Sequence, residues 1–180
     1  MRNNFIKAVI LVLISTFVSC KNDGKKIETT EEKVVVDNKL NVVMNLIVEK
    51  DDNFQIYYTE DGSDNFTADK FVNIDVKGSP TAQEIVFKIP EDVLPRQLRF
   101  DIGSNKEQKD IKIISFKLKY FDKIFEVQGK DFWVYFGNNT SIKYSRENAI
   151  ATPLTKNAEG YDPIFGGTSN LTKELDKIIK

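Results

Sequence analysis

From residue 40 onward apolar and polar side chains alternate, and this period of two restricts the chain more than any other feature of its sequence. Val42, Met44, Leu46 and Val48 alternate with Asn41, Asn45 and Glu49, and Phe54, Ile56 and Tyr58 alternate with Gln55, Tyr57 and Thr59. Val72, Ile74 and Val76, then Ile85, Phe87 and Ile89, then Leu98, Phe100 and Ile102 repeat the pattern. Successive side chains of a strand point to opposite faces, so such a chain buries its apolar set only as a sheet with one face on a core. β-branched and aromatic residues at the apolar positions fit that pleated, half-buried surface.

Residues 111–120 begin in one phase, with Ile111 and Ile113, and continue in the other, with Ile114, Phe116, Leu118 and Tyr120. One extra residue in a strand reverses its facing, which predicts a β-bulge at Ile113-Ile114. Residues 124–127 and 132–136 are predicted as further strands, with 141–144 a weaker one. Turn residues punctuate the runs at 60–64, 77–80, 103–105 and 137–139. Eight or nine short strands with no helical pattern between them predict a mainly β fold, an antiparallel sandwich or jelly roll. A helix is expected only at the end, where Ser169 is placed to cap residues 171–179 and Leu171, Leu175, Ile178 and Ile179 share a face. Residues 150–167, marked by Pro and Gly, read as an ordered loop.

The start of the chain has a different logic. Arg2 and Lys7 precede the apolar run 8–14, and Ser15-Thr16-Phe17-Val18-Ser19-Cys20 closes the segment. Charge, a short apolar stretch and a small residue before a cleavage point make a secretory signal. The run falls short of the roughly 20 apolar residues that span a bilayer. Phe17-Val18-Ser19-Cys20 resembles the lipobox of bacterial lipoproteins, which implies that Cys20 becomes the acylated first residue of the mature protein. Several acyl chains anchor stably, since each buried methylene adds about 0.8 kcal/mol. Residues 21–38 are rich in Lys, Glu and Thr and read as a flexible tether. The expected organisation is therefore a signal peptide over 1–19, a lipidated tether over 20–38, and a β-sandwich with its C-terminal loop and helix over 39–180. The expected address is the cell envelope, with lipid on Cys20 in the outer membrane and the domain in the periplasm or at the cell surface.

Composition excludes several chemistries. The chain contains no histidine, which removes Ser-His-Asp and Cys-His arrangements and most zinc and copper sites. Its one cysteine, Cys20, permits no internal disulfide. A net charge of -1 offers no basic surface to nucleic acid. The 27 acidic residues contain carboxylate pairs, but no spacing singles one out for glycoside hydrolysis. No cofactor motif is present, and the sequence reads as a non-catalytic protein.

Asp52-Asn53-Phe54-Gln55-Ile56-Tyr57-Tyr58, Ile85-Val86-Phe87-Lys88-Ile89-Pro90, Leu98-Arg99-Phe100-Asp101-Ile102-Gly103 and 111–118 together resemble a carbohydrate-binding-module-like jelly roll. The resemblance covers roughly half the mature chain and implies glycan binding or a scaffold role, because a fold does not fix a function. Trp133 and Tyr135 share one face if 132–136 is a strand; there they stack on sugar C–H surfaces with Tyr57, or serve as core and rim aromatics if both faces are covered. Arg99 and Asp101 share a strand face, either to bind a sugar or carboxylate or as a surface ion pair. Asp61 and Asp64, in an oxygen-rich turn, are a weak calcium candidate beside the simpler reading of a solvated hairpin loop. The partners expected are the membrane through Cys20, and a glycan or an envelope protein.

Overall fold

The structure, a computed structural model, describes residues 38–155 and 160–180. Eleven strands and one α-helix follow in order: β1 (Asn41–Val48), β2 (Asp52–Thr59), β3 (Phe71–Val76), β4 (Ser79–Lys88), β5 (Gln97–Asp101), β6 (Ile111–Tyr120), β7 (Lys123–Gln128), β8 (Phe136–Asn138), β9 (Ile142–Ser145), β10 (Ile150–Pro153), β11 (Ile164–Gly167) and α1 (Ser169–Ile179). They form two antiparallel sheets. The six-stranded sheet runs β4-β1-β6-β10-β9, with β7 also paired to β6, and the five-stranded sheet runs β3-β2-β5-β11-β8. The mainly β class with a short C-terminal helix is as the alternation predicts. Signal peptide, Cys20 and the tether to residue 37 lie outside the described residues.

The inward residues are those that the two-residue period selects: Val42, Met44, Leu46 and Val48 from β1, Phe54 and Ile56 from β2, Leu98 and Phe100 from β5, all essentially inaccessible. Phenylalanines bridge the sheets, with Phe87 of β4 edge-on to Phe100 of β5 at 6.0 Å and Phe116 of β6 edge-on to Phe136 of β8 at 5.1 Å. Edge-to-face geometry adds to what area burial alone contributes. The bulge falls where the phase change places it. Asn45 of β1 faces Ser115 while Leu46 faces Ile113, so Ile114 is the extra residue of β6 and both Ile113 and Phe116 reach the core.

Three expectations need correction. Residues 132–136 are not a strand: Gly129–Val134 forms a 3-10 helix, and only Phe136–Asn138 is extended. Phe132 and Phe136 are both buried and stack at 4.6 Å, a pairing that one helical turn brings about and an alternating strand does not. Gly129 lets this turn press on β6, since a Cβ there would lie 1.9 Å from the Ile113 carbonyl oxygen. Residues 150–167 are not merely a loop, because they contain β10 and β11, and β11 sits inside its sheet between β5 and β8. The cap of α1 is Thr168 rather than Ser169; its hydroxyl accepts from the Asn170 N–H at 3.3 Å and donates to the Val134 carbonyl at 2.8 Å.

Candidate functional site

Phe54, Ile56, Tyr58, Leu98, Phe100 and Phe165 point into the core, so the residues between them form the outer face of the five-stranded sheet. Register assembles a row across all five strands: Phe71 opposite Tyr57, Tyr57 opposite Arg99, Arg99 opposite Gly166, and Gly166 opposite Gly137. At one end of the row the Tyr57 ring is flanked by Phe71, stacked at 5.1 Å, and by the Arg99 guanidinium, 4.2 Å from its centroid. At the other end Gly166 and Gly137 leave bare backbone, and a Cβ built on either would meet nothing within 4 Å. The surface is therefore an aromatic wall, a guanidinium, and an open floor two strands wide.

Arg99 is held in a fixed pose. Its Nε and Nη2 donate to the two carboxylate oxygens of Asp101 at 2.8 and 2.7 Å, the bidentate geometry that a planar guanidinium favours. The pair is half-buried, with side-chain exposures of 26% for Arg99 and 16% for Asp101. Burial pushes the Asp101 carboxyl above its ordinary range, against the opposing pull of Arg99, and the neighbouring charge of Asp162 adds to the rise. Asp101 holds only part of the guanidinium's donor set, and the remaining N–H groups have no acceptor among the described residues.

Next to this row the amides of Gln55 and Asn53 donate to Asn73 at 3.1 Å and to Asp75 at 2.6 Å. Both amides also line a polar cleft of about 290 Å³ with Asp101, Ser104, Lys106 and Tyr161. The cleft wall is built by Asp52, whose Oδ1 accepts from the backbone N–H groups of Ser104 and Asn105 at 2.9 and 3.1 Å. Its Oδ2 accepts from Gln108 Nε2 at 2.9 Å. Gly103, at φ +103°, closes over that carboxylate, and any Cβ there would strike it at 2.3 Å. Tyr161 donates to the Asn105 carbonyl at 2.9 Å, and burial, reinforced by the charge of Asp52, raises its phenol to about 12, so it stays protonated.

Of the residues singled out from sequence, Tyr57 and Arg99 come together with Asp101, while Trp133 and Tyr135 are parted. Trp133, 39% exposed, lies on the 3-10 helix with Arg146 over its ring at 4.1 Å. Tyr135 is half-buried, edge-on to Phe125 at 5.0 Å. The shared sheet face assigned to them does not exist, because the strand that would make it is a helical turn. Tyr57 has Phe71 on one side of its ring and the Arg99 guanidinium on the other. Asp61 and Asp64 serve locally: Asp61 accepts from the Ser63 N–H at 2.9 Å and Asp64 from Gln97 Nε2 at 3.1 Å. Among the described residues no three acidic side chains gather as a metal site would require. Phe71, Gly137, Gly166, Asn53 and Gln55 were not singled out from sequence, and cross-strand register is what reveals them. Comparison with protein-family models, with curated proteins and with solved structures finds no match to the chain.

Proposed function

We propose that this chain is a lipid-anchored envelope protein whose β-sandwich binds carbohydrate, without catalysis, on the outer face of the five-stranded sheet. The observation that carries the reading is the row Phe71–Tyr57–Arg99–Gly166–Gly137, in which a rigidly seated guanidinium borders a floor free of side chains. A pyranose presents a flat ring edged by hydroxyls. The glycine floor accommodates the ring, while the free donors of Arg99 and the amides of Asn53 and Gln55 supply the hydrogen bonds that fix its orientation. Strands lie about 4.8 Å apart, so five strands offer a face of roughly 20 Å, the scale of a short oligosaccharide. The lipid address rests on the lipobox-like end of the leader at Cys20. Among the described residues no helix is long and apolar enough to cross a membrane.

A glycan array tests the reading. Wild-type protein is expected to bind a defined subset of glycans, and Arg99→Ala to reduce that binding by about tenfold or more, the loss of one charge-assisted hydrogen-bonded contact. A blank array together with a specific co-purifying envelope protein would replace this reading with one of assembly. Asp101 and Asp162 line the same cleft, an arrangement that a hydrolase would also need. Against hydrolysis, both Asp101 oxygens are engaged by Arg99, and glycans on the array are expected to be retained intact.

A further inference from the structure

The end of the domain at which the chain enters carries exposed apolar residues that the core does not need. Asn41, the first residue of β1, lies opposite Lys119 near the end of β6, and Leu40 accepts from the Ile89 N–H at 2.9 Å just beyond β4. The two-residue hairpin Phe121-Asp122, closed by the pairing of Tyr120 with Lys123, therefore projects past the point where residues 38–40 join the fold. Phe121 is 44% exposed, Ile124 61% and, on the loop after β4, Leu94 41%. The C-terminal turn of α1 lies between them: Ile178 shares a cleft with Ile124 and Phe125, and Ile179 shares one with Leu94.

The tip is also strained. Phe121 sits at φ +52°, in the left-handed region, at the hairpin position where glycine or asparagine is favoured. A large aromatic left this exposed at a turn position that favours small residues is a departure that points to a contact outside the fold. The ring is held rather than loose, edge-on to Tyr120 at 4.6 Å. Lys119 and Lys123, on either side of the turn, make no ion pair among the described residues, whereas the acids of the α1 end are matched, Glu174 by Lys177 at 2.8 Å and Asp176 by Arg96 at 3.2 Å. Exposed aromatic and aliphatic side chains flanked by lysine ammonium groups suit the boundary between phosphate headgroups and acyl chains.

We infer that the Phe121–Ile124 hairpin end is a bilayer-docking surface, which inserts Phe121 and Ile124 into the interface of the membrane that holds the acylated cysteine. The inference rests on the lipid-anchored reading above and adds an orientation to it. Seventeen residues lie between Cys20 and Asn38, a length of chain that spans at most about 60 Å, so an anchor alone does not fix the domain's distance from the surface. Docking removes that freedom. Asp101, Ser104 and Tyr161 lie toward the opposite ends of the strands, so a docked domain holds its sugar cleft away from the bilayer.

The test uses the full acylated chain in vesicles of phosphatidylethanolamine and phosphatidylglycerol containing brominated acyl chains. Trp133 is the only tryptophan and lies outside the hairpin, so Phe121→Trp in a Trp133→Phe background gives a single reporter at the tip. Its emission is expected to shift to the blue and to be quenched by the brominated lipid, while Trp133 in the parent protein is not quenched. A nitroxide on Ile124→Cys, at a position 61% exposed, should be more accessible to oxygen than to an aqueous nickel chelate. Protein that floats with the vesicles but shows an unquenched tip and a water-exposed nitroxide overturns the docking and leaves the anchor standing. Mass spectrometry showing no acyl chain on Cys20 removes the anchor itself, and the docking orientation falls with it.

Discussion

At the scale of single residues, Arg99 and Asp101 hold the most consequence. Burial outweighs the attraction of Arg99, so the folded protein binds the Asp101 proton more tightly than the unfolded chain does. The sign follows by linkage: this group's contribution to stability falls as pH rises from the ordinary value of 3.8 through the raised one, and is constant above it. Arg99→Ala removes the only pull in the other direction and should raise the Asp101 titration further, as a carboxyl-carbon NMR titration would read directly. An unchanged or lowered midpoint would mean that the ion pair does not govern this carboxyl. The same variant is expected to cost about 1–3 kcal/mol near neutral pH, because a half-buried carboxylate loses its partner. That loss should shrink in acid as Asp101 becomes neutral. Gly166 offers the complementary experiment. Its position is open and its φ is not positive, so Gly166→Tyr should leave the denaturation midpoint nearly unchanged while it fills the floor and abolishes binding. Retained binding by the folded variant would show that the floor is not where the ligand lies, and loss of fold would show that the position is not open.

At the scale of elements, alternation reads strands wherever the apolar set is complete, and it even locates the bulge at Ile114, because a change of facing is visible in one dimension. It fails at Gly129–Val134, where the aromatic cluster imitates a strand. Phe132 and Phe136 satisfy the period of two, and equally the four-residue spacing that the structure uses. It fails again at β11, whose Ile164-Phe165-Gly166-Gly167 has weak strand preference of its own and is extended by the partners on either side. Gly129→Ala probes the first case. Its methyl group would collide with backbone rather than with a movable side chain, and a cost of about 3 kcal/mol or more in urea denaturation is expected. Thr168→Ala should cost about 1 kcal/mol for the lost cap of α1, whereas Ser169→Ala should cost little. A larger cost for Ser169→Ala than for Thr168→Ala would return the cap to Ser169.

At the scale of the whole molecule, the architecture was legible because burial selects facing, and facing repeats along the chain. The candidate site was only partly legible. Arg99 and Tyr57 stand out by residue type, but the floor beside them is made of glycines, which in a sequence read as turn signals. That Gly166 and Gly137 extend a row begun by Phe71 is a property of register, and register joins residues 66 positions apart that no local pattern connects. The functional account depends on this row. Its most direct test is a backbone amide NMR titration of the protein with oligosaccharides released from a bacterial envelope. The account predicts shifts concentrated at Tyr57, Arg99, Gly137 and Gly166 that saturate with ligand. Shifts gathered instead around Trp133 and Arg146, with the glycine floor silent, would contradict it.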